Sequence, residues 1–364
     1  MLRSLCKASN RFTLDLFCSV ACSPQNLFIS GYSVNVALAM LALGSEGDSL
    51  QQLKETLRWD AISDSEGAIV EEYCKLAKEL NAASSIILLT ANSVWSNELR
   101  AQYVERVRND LKCEAYPLDS VEKVNTWVEE RTQGLIPELI QQIDKSTLAL
   151  LVNAIYFKGS WESSFSLNKT TTAQFLTANK EIVNVPMMHR KGSYNAVIGH
   201  TVNQALELPY TGEEYSMVAI LPRKGQTWSA FMDSRNTIIK TVLNDLRPVS
   251  SLKVSFPKFK IEYGVKELKG ELKQMGINDV FGSAANLSRM SNKIGTHVDS
   301  VLHKAVCEVN EEGTEAAAVT VVALQESCKV DPAIQFNKPF MFFIRQKSTN
   351  LILFIGTVEN PLLG

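Results

Sequence analysis

The run ALLVNAIYF, residues 149 to 157, limits the possible fold more than any other part of the sequence. Its residues are apolar on both alternating faces and β-branched in places, which is typical of a strand buried in the centre of a sheet. Such a strand needs a core on each side of its sheet. A chain of 364 residues, of which 45% are hydrophobic, is long enough to bury that much core.

The two parts of the chain differ in hydrophobic periodicity. Helical spacing dominates the first third, and strand-like segments dominate from Leu148 onward. The predicted helices are an amphipathic first helix around residues 12–21 and the segments 34–43, 49–57, 66–81, 121–143, 228–246 and 265–275. The predicted strands are 149–157, 205–208, 216–221, 252–256, 298–309, 340–344 and 351–358. Helices first and strands later indicate an α+β protein with large antiparallel or mixed sheets.

The near balance of charge excludes several classes of function. The chain has 37 Lys and Arg residues against 39 Asp and Glu residues, so its net charge is −2. Nucleic-acid binding and membrane-surface binding usually require a basic excess, and we predict neither. No apolar stretch reaches the roughly 18 to 20 residues that span a bilayer. We therefore expect a soluble globular protein without a membrane span.

The cysteines and histidines give no sign of a metal or a cofactor. The seven cysteines are scattered without C-x-x-C spacing, which favours free, mostly buried thiols in a reducing compartment over disulfides. Cys18 and Cys22 lie four residues apart, and we interpret them as packing on one helix face. The four histidines do not cluster at metal-ligand spacing. We predict no metal site and no cofactor.

Motifs of the common enzyme classes are also missing from the sequence. It has no phosphate-binding G-x-x-x-x-G-K-[ST], no G-x-G-x-x-G, no zinc-binding H-E-x-x-H and no G-x-S-x-G. A hydrolase whose Ser/His/Asp triad comes from distant residues remains an alternative, because triads are defined by geometry rather than by order.

The segment from Val298 to Cys328 is the most informative part of the chain. It predicts a strand up to Val309 and a turn over residues 310–313. Beyond the turn, one set of alternate residues is small and uncharged: Thr314, Ala316, Ala318, Thr320 and Val322. A face without charge can enter the middle of a sheet, because no charged side chain then needs compensation. An Ala-rich surface helix or an ordinary strand is the simpler alternative.

Motifs in order along nearly the whole chain resemble those of the serpins, a family of serine protease inhibitors. His303 to Val322 resembles the serpin hinge and reactive-centre loop, and FNKPF at residues 336–340 resembles the signature after that loop. Further landmarks are NLFISGYSVNVALAMLAL (26–43), LVNAIYFKGSWE (151–162), Met187-Met188, LELPY (206–210), FPKFKIE (256–262) and residues 287–291. The chain is most similar to the intracellular, ovalbumin-like branch. The resemblance implies one serpin domain over residues 1–364, with three β-sheets, eight or nine helices and an exposed reactive-centre loop over about residues 311–332.

The resemblance also implies a mechanism and a set of functional residues. A target serine protease attacks the loop as a substrate and forms an acyl-enzyme, after which the cleaved loop inserts as a strand of the central sheet. The implied residues are the hinge (Glu311, Gly313, Thr314, Ala316, Ala317 and Ala318), the shutter (Ser30, Ser33, Asn153 and His303) and the breach (Trp161). The uncharged hinge favours an inhibitor over a non-inhibitory carrier, chaperone or storage serpin. An inhibitor of cysteine proteases is a further alternative.

The scissile bond stays open between three positions. A count of about seventeen residues from Glu311 gives Ser327-Cys328, whereas a count back from the FNKPF motif gives Cys328-Lys329. A trypsin-like protease would instead cut between Lys329 and Val330. Ser327 and Cys328 are both small and would each suit an elastase-like pocket instead, and we favour Ser327-Cys328. A passive Cys328 thiol is the simpler interpretation, although an exposed thiol there would make inhibition redox-sensitive.

The remaining expectations concern location, modification and regulation. We expect a monomeric, cytoplasmic protein, with release from the cell by an unconventional route as an alternative, because Asp15 interrupts the N-terminal apolar stretch. The sequons at Asn168 and Asn286 matter only in the secretory path. The predicted helix 66–81 contains only Lys75 and Lys78 among several acidic residues, so we predict no heparin site there. Gly31 stands where serpins usually have proline, which adds entropy to the unfolded chain and costs about 0.5–1 kcal/mol.

Overall fold

A computed structural model of the chain describes residues 1–21, 25–82, 85–144, 146–314 and 331–363. Nine α-helices occur in these residues. They are α1 (Leu2–Val20), α2 (Gly31–Gly44), α3 (Gly47–Leu57), α4 (Glu66–Asn81), α5 (Ala101–Leu111), α6 (Val121–Arg131), α7 (Trp228–Asp233), α8 (Arg235–Asp245) and α9 (Lys269–Gln274).

The described residues also form fifteen β-strands, which confirms the α+β class. They are β1 (Leu27–Ile29), β2 (Ile86–Ser96), β3 (Glu114–Tyr116), β4 (Ala149–Ser160), β5 (Thr171–Leu176), β6 (Ile182–Val197), β7 (Gln204–Pro209), β8 (Tyr215–Leu221), β9 (Arg247–Pro257), β10 (Phe259–Glu267), β11 (Ser300–Val309), β12 (Gly313–Thr314), β13 (Ala333–Gln335), β14 (Phe340–Gln346) and β15 (Ile352–Val358).

The doubly apolar run lies in β4, inside a six-stranded sheet. The order of this sheet is β10-β11-β4-β2-β3, and the short strand β12 also pairs with β4. Alternate residues of β4 belong to two different hydrophobic clusters. Leu151 and Ile155 pack in the main core, whereas Leu150 and Val152 pack in a second cluster with residues of α6. The prediction of a central strand that is covered on both faces is confirmed.

The second sheet contains nine strands and is the larger of the two. Its order is β1-β15-β14-β8-β7-β6-β9-β13, with β5 beside β6. The resemblance implies three sheets, whereas hydrogen bonds join the described strands into two. The reason is β6, which is 16 residues long and pairs with β5, β7 and β9. One long strand thereby makes two smaller sheets continuous.

Helix α2 is buried along its whole length between the two sheets. It contacts β15 of the larger sheet and both β2 and β4 of the smaller one, which explains why it is apolar nearly all round. The helix begins after Ser30, whose hydroxyl accepts a hydrogen bond of 3.1 Å from the N–H of Ser33. This cap fixes the first turn of α2 against the central strands.

Two predicted helices are shorter than their patterns. The helix predicted over 121–143 ends at Arg131, because Gly134 takes a positive φ of 80° and the chain leaves the helical path. The segment 228–246 contains two helices, α7 and α8, which meet at Ser234. In both cases apolar spacing continues past the end of the helix, so periodicity alone does not mark the boundary.

The described residues contain no helix that is long and apolar enough to cross a membrane. They contain five of the seven cysteines, and none of these five forms a disulfide. Cys6, Cys113 and Cys307 are buried, and burial raises the pKa of Cys6 to about 11 and of Cys113 to about 12. Cys18 and Cys74 are only partly buried. Within the same residues, no three His, Cys, Asp or Glu side chains come together in a metal-binding group.

Candidate functional site

The predicted shutter residues lie in one hydrogen-bonded cluster at the first turn of α2. The backbone N–H of Ser30 donates to Nε2 of His303 at 3.1 Å, and the Ser30 hydroxyl donates to the carbonyl oxygen of Leu353 at 2.7 Å. The side-chain amide of Asn153 donates to the Ser33 hydroxyl. Asn153 accepts a hydrogen bond from Nδ1 of His303, which must carry the ring proton because Nε2 accepts. The cluster thus ties α2 to β4, β11 and β15.

The bond between His303 and Asn153 crosses the boundary of two neighbouring strands. The two residues are directly opposite each other where β11 runs parallel to β4. A strand that entered between β4 and β11 would therefore have to break this hydrogen bond. Both side chains are fully buried, and burial lowers the pKa of His303 to about 3, so the imidazole is neutral at physiological pH.

Asn92 completes the shutter cluster and is absent from the sequence-based prediction. Its Oδ1 accepts hydrogen bonds from the Ser33 hydroxyl at 3.1 Å and from the Asn153 amide. Asn92 lies on β2, opposite Asn153 in the register of β2 and β4. The signal in the sequence is an asparagine inside the apolar stretch 86–96, but this stretch was not predicted to be a strand. The cluster therefore spans three adjacent strands.

A buried carboxylate begins the hinge. Glu311 is 3% exposed, and its Oε2 forms an ion pair with Nζ of Lys258 at 2.8 Å. Its Oε1 accepts a hydrogen bond of 2.6 Å from the hydroxyl of Thr170, and its carbonyl accepts one of 2.7 Å from the N–H of Phe165. Burial alone would raise the pKa of Glu311, but the bonds from Lys258 and Thr170 lower it. The carboxylate is thus ionised and is held by side chains from two separate segments, the connection between β9 and β10 and the residue before β5.

The next hinge residues already form a two-residue strand at the edge of β4. Gly313 and Thr314 make up β12 and pair antiparallel with Ser160 and Gly159. Gly313 has a φ of 152°, and a Cβ there would lie 2.2 Å from the carbonyl oxygen of Gly159. Only glycine fits this position. Thr314 is also the first of the small, uncharged alternate residues described above. Its side chain is already buried here, at 2% exposed.

Trp161 connects the end of β4 to the turn before the hinge. Its indole N–H donates to the carbonyl oxygen of Asn310 at 3.1 Å, and its backbone N–H donates to that of Glu312 at 2.8 Å. Its ring stacks on Tyr210 with centroids 4.8 Å apart. The Tyr210 hydroxyl is in turn 3.1 Å from Oγ1 of Thr314. The predicted breach residue and the hinge therefore share one set of contacts, in which Tyr210 and Lys258 are partners that the sequence-based prediction did not name.

A comparison with protein families decides the classification of the chain. The profile of the family described as Serpin (serine protease inhibitor) matches residues 7–361. The chain is a serpin. Among known proteins, this serpin is 34% identical to the leukocyte elastase inhibitor of Sus scrofa, over 99% of this chain and 100% of that protein. It is 32% identical to human serpin B4, with the same coverage. The family assignment makes it a protease inhibitor and not an enzyme, and the described chain has the serpin fold.

The fold of this serpin also matches solved structures. The crystal structure of human thyroxine-binding globulin complexed with its ligand superposes with a TM-score of 0.90 at 27% sequence identity, and the match covers 99% of both chains. By its name that protein binds thyroxine, so likeness of fold does not by itself identify an inhibitor. The assignment as a protease inhibitor therefore rests on the family match and on the relatives named above, not on the likeness of fold.

The rest of the predicted loop lies outside the described residues. This applies to Ala316, Ala317 and Ala318 of the hinge and to all residues of the candidate scissile bonds, Ser327, Cys328, Lys329 and Val330. The description resumes at Asp331, whose carboxylate pairs with Nζ of Lys191 at 2.8 Å and of Lys253 at 3.3 Å. After it, β13 pairs parallel with β9. Both ends of the predicted loop are thus attached to sheets.

Proposed function

We propose that this serpin inhibits a serine protease as a suicide substrate. The observation that carries the proposal is the pairing of Gly313 and Thr314 with β4. This pairing places Thr314, the first residue of the uncharged alternate set, just beyond the end of the boundary between β4 and β11. A strand that continued from Thr314 along β4 would add antiparallel hydrogen bonds to the sheet. Its inward residues carry no charge, so their burial needs no compensation.

The chemistry of the proposed reaction is shared between the two proteins. The hydroxyl of the protease serine attacks the carbonyl carbon of the residue before the scissile bond, the peptide C–N bond breaks, and the new amine takes up a proton. The protease is then linked through an ester to the N-terminal part of the loop. Insertion of that part moves the attached protease along the sheet before water hydrolyses the ester. Glu311, Gly313 and Thr314 are the proposed pivot, and the alanines at 316–318 follow them.

We propose Ser327-Cys328 as the bond that is cut, with Cys328-Lys329 and Lys329-Val330 as alternatives. A small residue at the cut suits a protease with an elastase-like pocket, and relatives of this serpin are named leukocyte elastase inhibitors. A cut after Lys329 would instead mean a trypsin-like target. The first experiment should therefore establish whether a covalent complex forms and with which class of protease.

The direct test is to incubate the protein with elastase, chymotrypsin and trypsin and to analyse the products on denaturing gels. We expect a covalent band at the summed mass with elastase, and a released C-terminal fragment that begins at Cys328. N-terminal sequencing of the fragment separates the three bonds. Cleavage without a covalent band for all three proteases would favour a non-inhibitory serpin. A covalent complex with papain-type proteases alone would favour the cross-class alternative.

A variant of the hinge tests whether insertion is needed. Thr314→Arg places a charge where the side chain is buried against Tyr210, so insertion should stall and the protease should cleave the loop and leave. The matched control is Thr172→Arg on the exposed surface of β5. We expect the stoichiometry of inhibition to rise severalfold in the first variant only. Full inhibition by Thr314→Arg would contradict the insertion mechanism.

We also propose that the protein is monomeric and works inside the cell. Support comes from the five described cysteines, which form no disulfide, and from relatives such as serpin B4. Sedimentation analysis and cell fractionation test these two points. No heparin-type cofactor is proposed, because α4 has only two lysines, Lys75 and Lys78, and Lys75 is paired with Glu71 and Glu72.

A further inference from the structure

A cavity of about 220 Å³ opens between two turns and Lys338, apart from the hinge and the shutter. One turn precedes β7 and contributes His200 and, at its end, Gln204. The other follows β8 and contributes Arg223 and Lys224. Lys338 lies in the FNKPF motif. About 10–15 Å³ of such volume already admits one water molecule, so the cavity has room for several.

Backbone hydrogen bonds hold the walls of this cavity in place. The N–H of Lys224 donates to the carbonyl oxygen of His200 at 3.1 Å, and the N–H of Arg223 donates to Oδ1 of Asn203 at 3.0 Å. Nζ of Lys338 donates to the carbonyl oxygen of Pro222 at 2.9 Å. Three separate segments are thereby fixed to one another, so the cavity exists before any ligand arrives.

The charge in the cavity has one sign. Arg223, Lys224 and Lys338 line it together with His200, and no carboxylate does. In the part of the chain that the structure describes, the side chains of Arg223, Lys224 and His200 have no hydrogen bond or ion pair. Such a one-sided cluster is notable in a chain whose net charge is −2.

Lys338 is the most confined of these cations. Its ammonium group is half-buried and uses one of its three N–H donors on Pro222. Burial lowers its pKa, and no acidic group offsets the effect. A partly buried ammonium without a counter-charge is destabilising, and a bound anion would remove that cost.

We propose that this cavity binds a tetrahedral oxyanion, a phosphate or sulfate group. Nζ of Lys338 provides charge at the base, and the planar guanidinium of Arg223 can hold two oxygens of such a group at once. Lys224 and the amide of Gln204 supply further donors from the two walls. The remaining volume admits a short organic group, so the ligand is either the free ion or a small monoester. The site is independent of the proposed inhibition.

Isothermal titration calorimetry in a chloride buffer tests this proposal. The probes are inorganic phosphate, inorganic sulfate, phenyl phosphate and phenyl sulfate. We expect saturable one-to-one binding of at least one probe and a rise of the melting temperature with its concentration. Tighter binding of a phenyl ester than of its inorganic ion identifies a monoester as the ligand class, and the reverse order identifies the free ion.

The decisive variant is the double substitution Arg223→Gln and Lys224→Gln. Both side chains are exposed and unpaired among the described residues, so the fold should be unaffected while the dissociation constant rises about tenfold or more. The matched control, Lys7→Gln with Arg108→Gln, removes two exposed cations elsewhere and should bind as the parent does. Absence of saturable binding with all four probes would overturn the proposal. Equal affinity in the double variant and the parent would overturn it as well.

Discussion

His303 combines complete burial with a side chain that ordinarily titrates near neutral pH. Its two ring nitrogens are both occupied, by the N–H of Ser30 and by Asn153, in an arrangement that suits only the neutral imidazole. Burial lowers its pKa from 6.5 to about 3. Below pH 6.5 the unfolded chain therefore binds a proton at His303 that the folded chain does not bind. The free energy of unfolding accordingly falls as the pH drops from 6.5 towards 3.

The first prediction is that His303 accounts for much of the acid sensitivity of the protein. Between pH 7 and pH 5, protonation of His303 in the unfolded chain should lower the free energy of unfolding by about 2 kcal/mol. His303→Gln removes this titration, so the variant should be less stable than the parent at pH 7 but lose less stability on acidification. Denaturant unfolding at the two pH values measures the difference, with His200→Gln as a control. An unchanged pH dependence in His303→Gln would contradict this role.

Glu359 has the opposite dependence on pH. Its carboxylate is buried near the C-terminus, one oxygen accepts a hydrogen bond of 3.0 Å from the indole of Trp228, and the other has no partner among the described residues. Burial raises its pKa from 4.5 to about 7, and the bond from Trp228 offsets only part of this rise. The unfolded chain loses a proton above pH 4.5 that the folded chain retains, so stability falls as the pH rises from 4.5 to 7.

The second prediction is that Glu359→Gln gains stability over the parent as the pH rises. The amide of the variant keeps an acceptor for Trp228 but cannot ionise. From pH 5 to pH 8, the free energy of unfolding of the variant should therefore rise by about 2 kcal/mol relative to that of the parent. Comparison at two pH values cancels any constant cost of the amide. Glu129→Gln, at an exposed position on α6, is the control and should show no such shift.

Among the structural elements, α1 packs tightly against the first residue of α2, Gly31. A Cβ at this position would lie 2.3 Å from Oγ1 and 2.6 Å from Cα of Thr13. The sequence suggested only an entropic cost for glycine where serpins usually have proline. The structure adds a steric reason for it, because the backbone of α1 occupies the space that any larger residue would need.

The third prediction compares two helical glycines. Gly31→Ala and Gly31→Pro should each destabilise the protein by about 1–3 kcal/mol, because α1 would have to move. Gly67→Ala on α4 should instead stabilise it by about 0.4–1 kcal/mol, since the nearest atom to its Cβ is 4.0 Å away. Thermal unfolding of the variants decides the signs. A stabilising Gly31→Pro would contradict the packing argument.

The ease of predicting each element followed the strength of its local signal. The strand β4 has a long run that is apolar on both faces, the helix α4 has a clear 3.6-residue period, and both were predicted within a few residues. Strand β2 was missed because its exposure changes from mixed at one end to fully buried at the other, which removes the period of two. In the segment 265–275, β10 continues to Glu267 before α9 begins, so the predicted helix starts too early.

The sequence could propose residues for the candidate site, but it could not indicate which other side chains contact them. Glu311 and Thr314 lie in a motif that is continuous in the sequence, so resemblance could identify them. Lys258 and Tyr210 lie in landmarks that were recognised, yet no spacing indicates that they contact the hinge at 2.8 and 3.1 Å. These contacts depend on how distant strands align, which local patterns do not encode.

At the scale of the whole molecule, the predicted shutter and the predicted hinge lie along the same boundary between β4 and β11. The hinge pairs with β4 at Gly159 and Ser160, just beyond the last pairing of the two strands at Tyr156 and Val306. The shutter bond between His303 and Asn153 crosses the same boundary further along. An opening that starts at the hinge therefore has to reach the shutter. That residues 1–364 form one domain stays a prediction, and the linkage of these distant segments is consistent with it.

The last prediction is that cleavage of the loop makes the protein more stable. After cleavage, the segment that begins at Thr314 can enter between β4 and β11 and replace their parallel pairing with two antiparallel ones. About ten new hydrogen bonds at about 1 kcal/mol each would raise the melting temperature by about 10 °C or more in a chain of this length. Calorimetry of the intact and the elastase-cleaved protein measures this change. Thr314→Arg, cleaved in the same way, should show no such rise because its strand cannot enter. If the cleaved parent melts at or below the temperature of the intact protein, the loop does not become a strand of the central sheet.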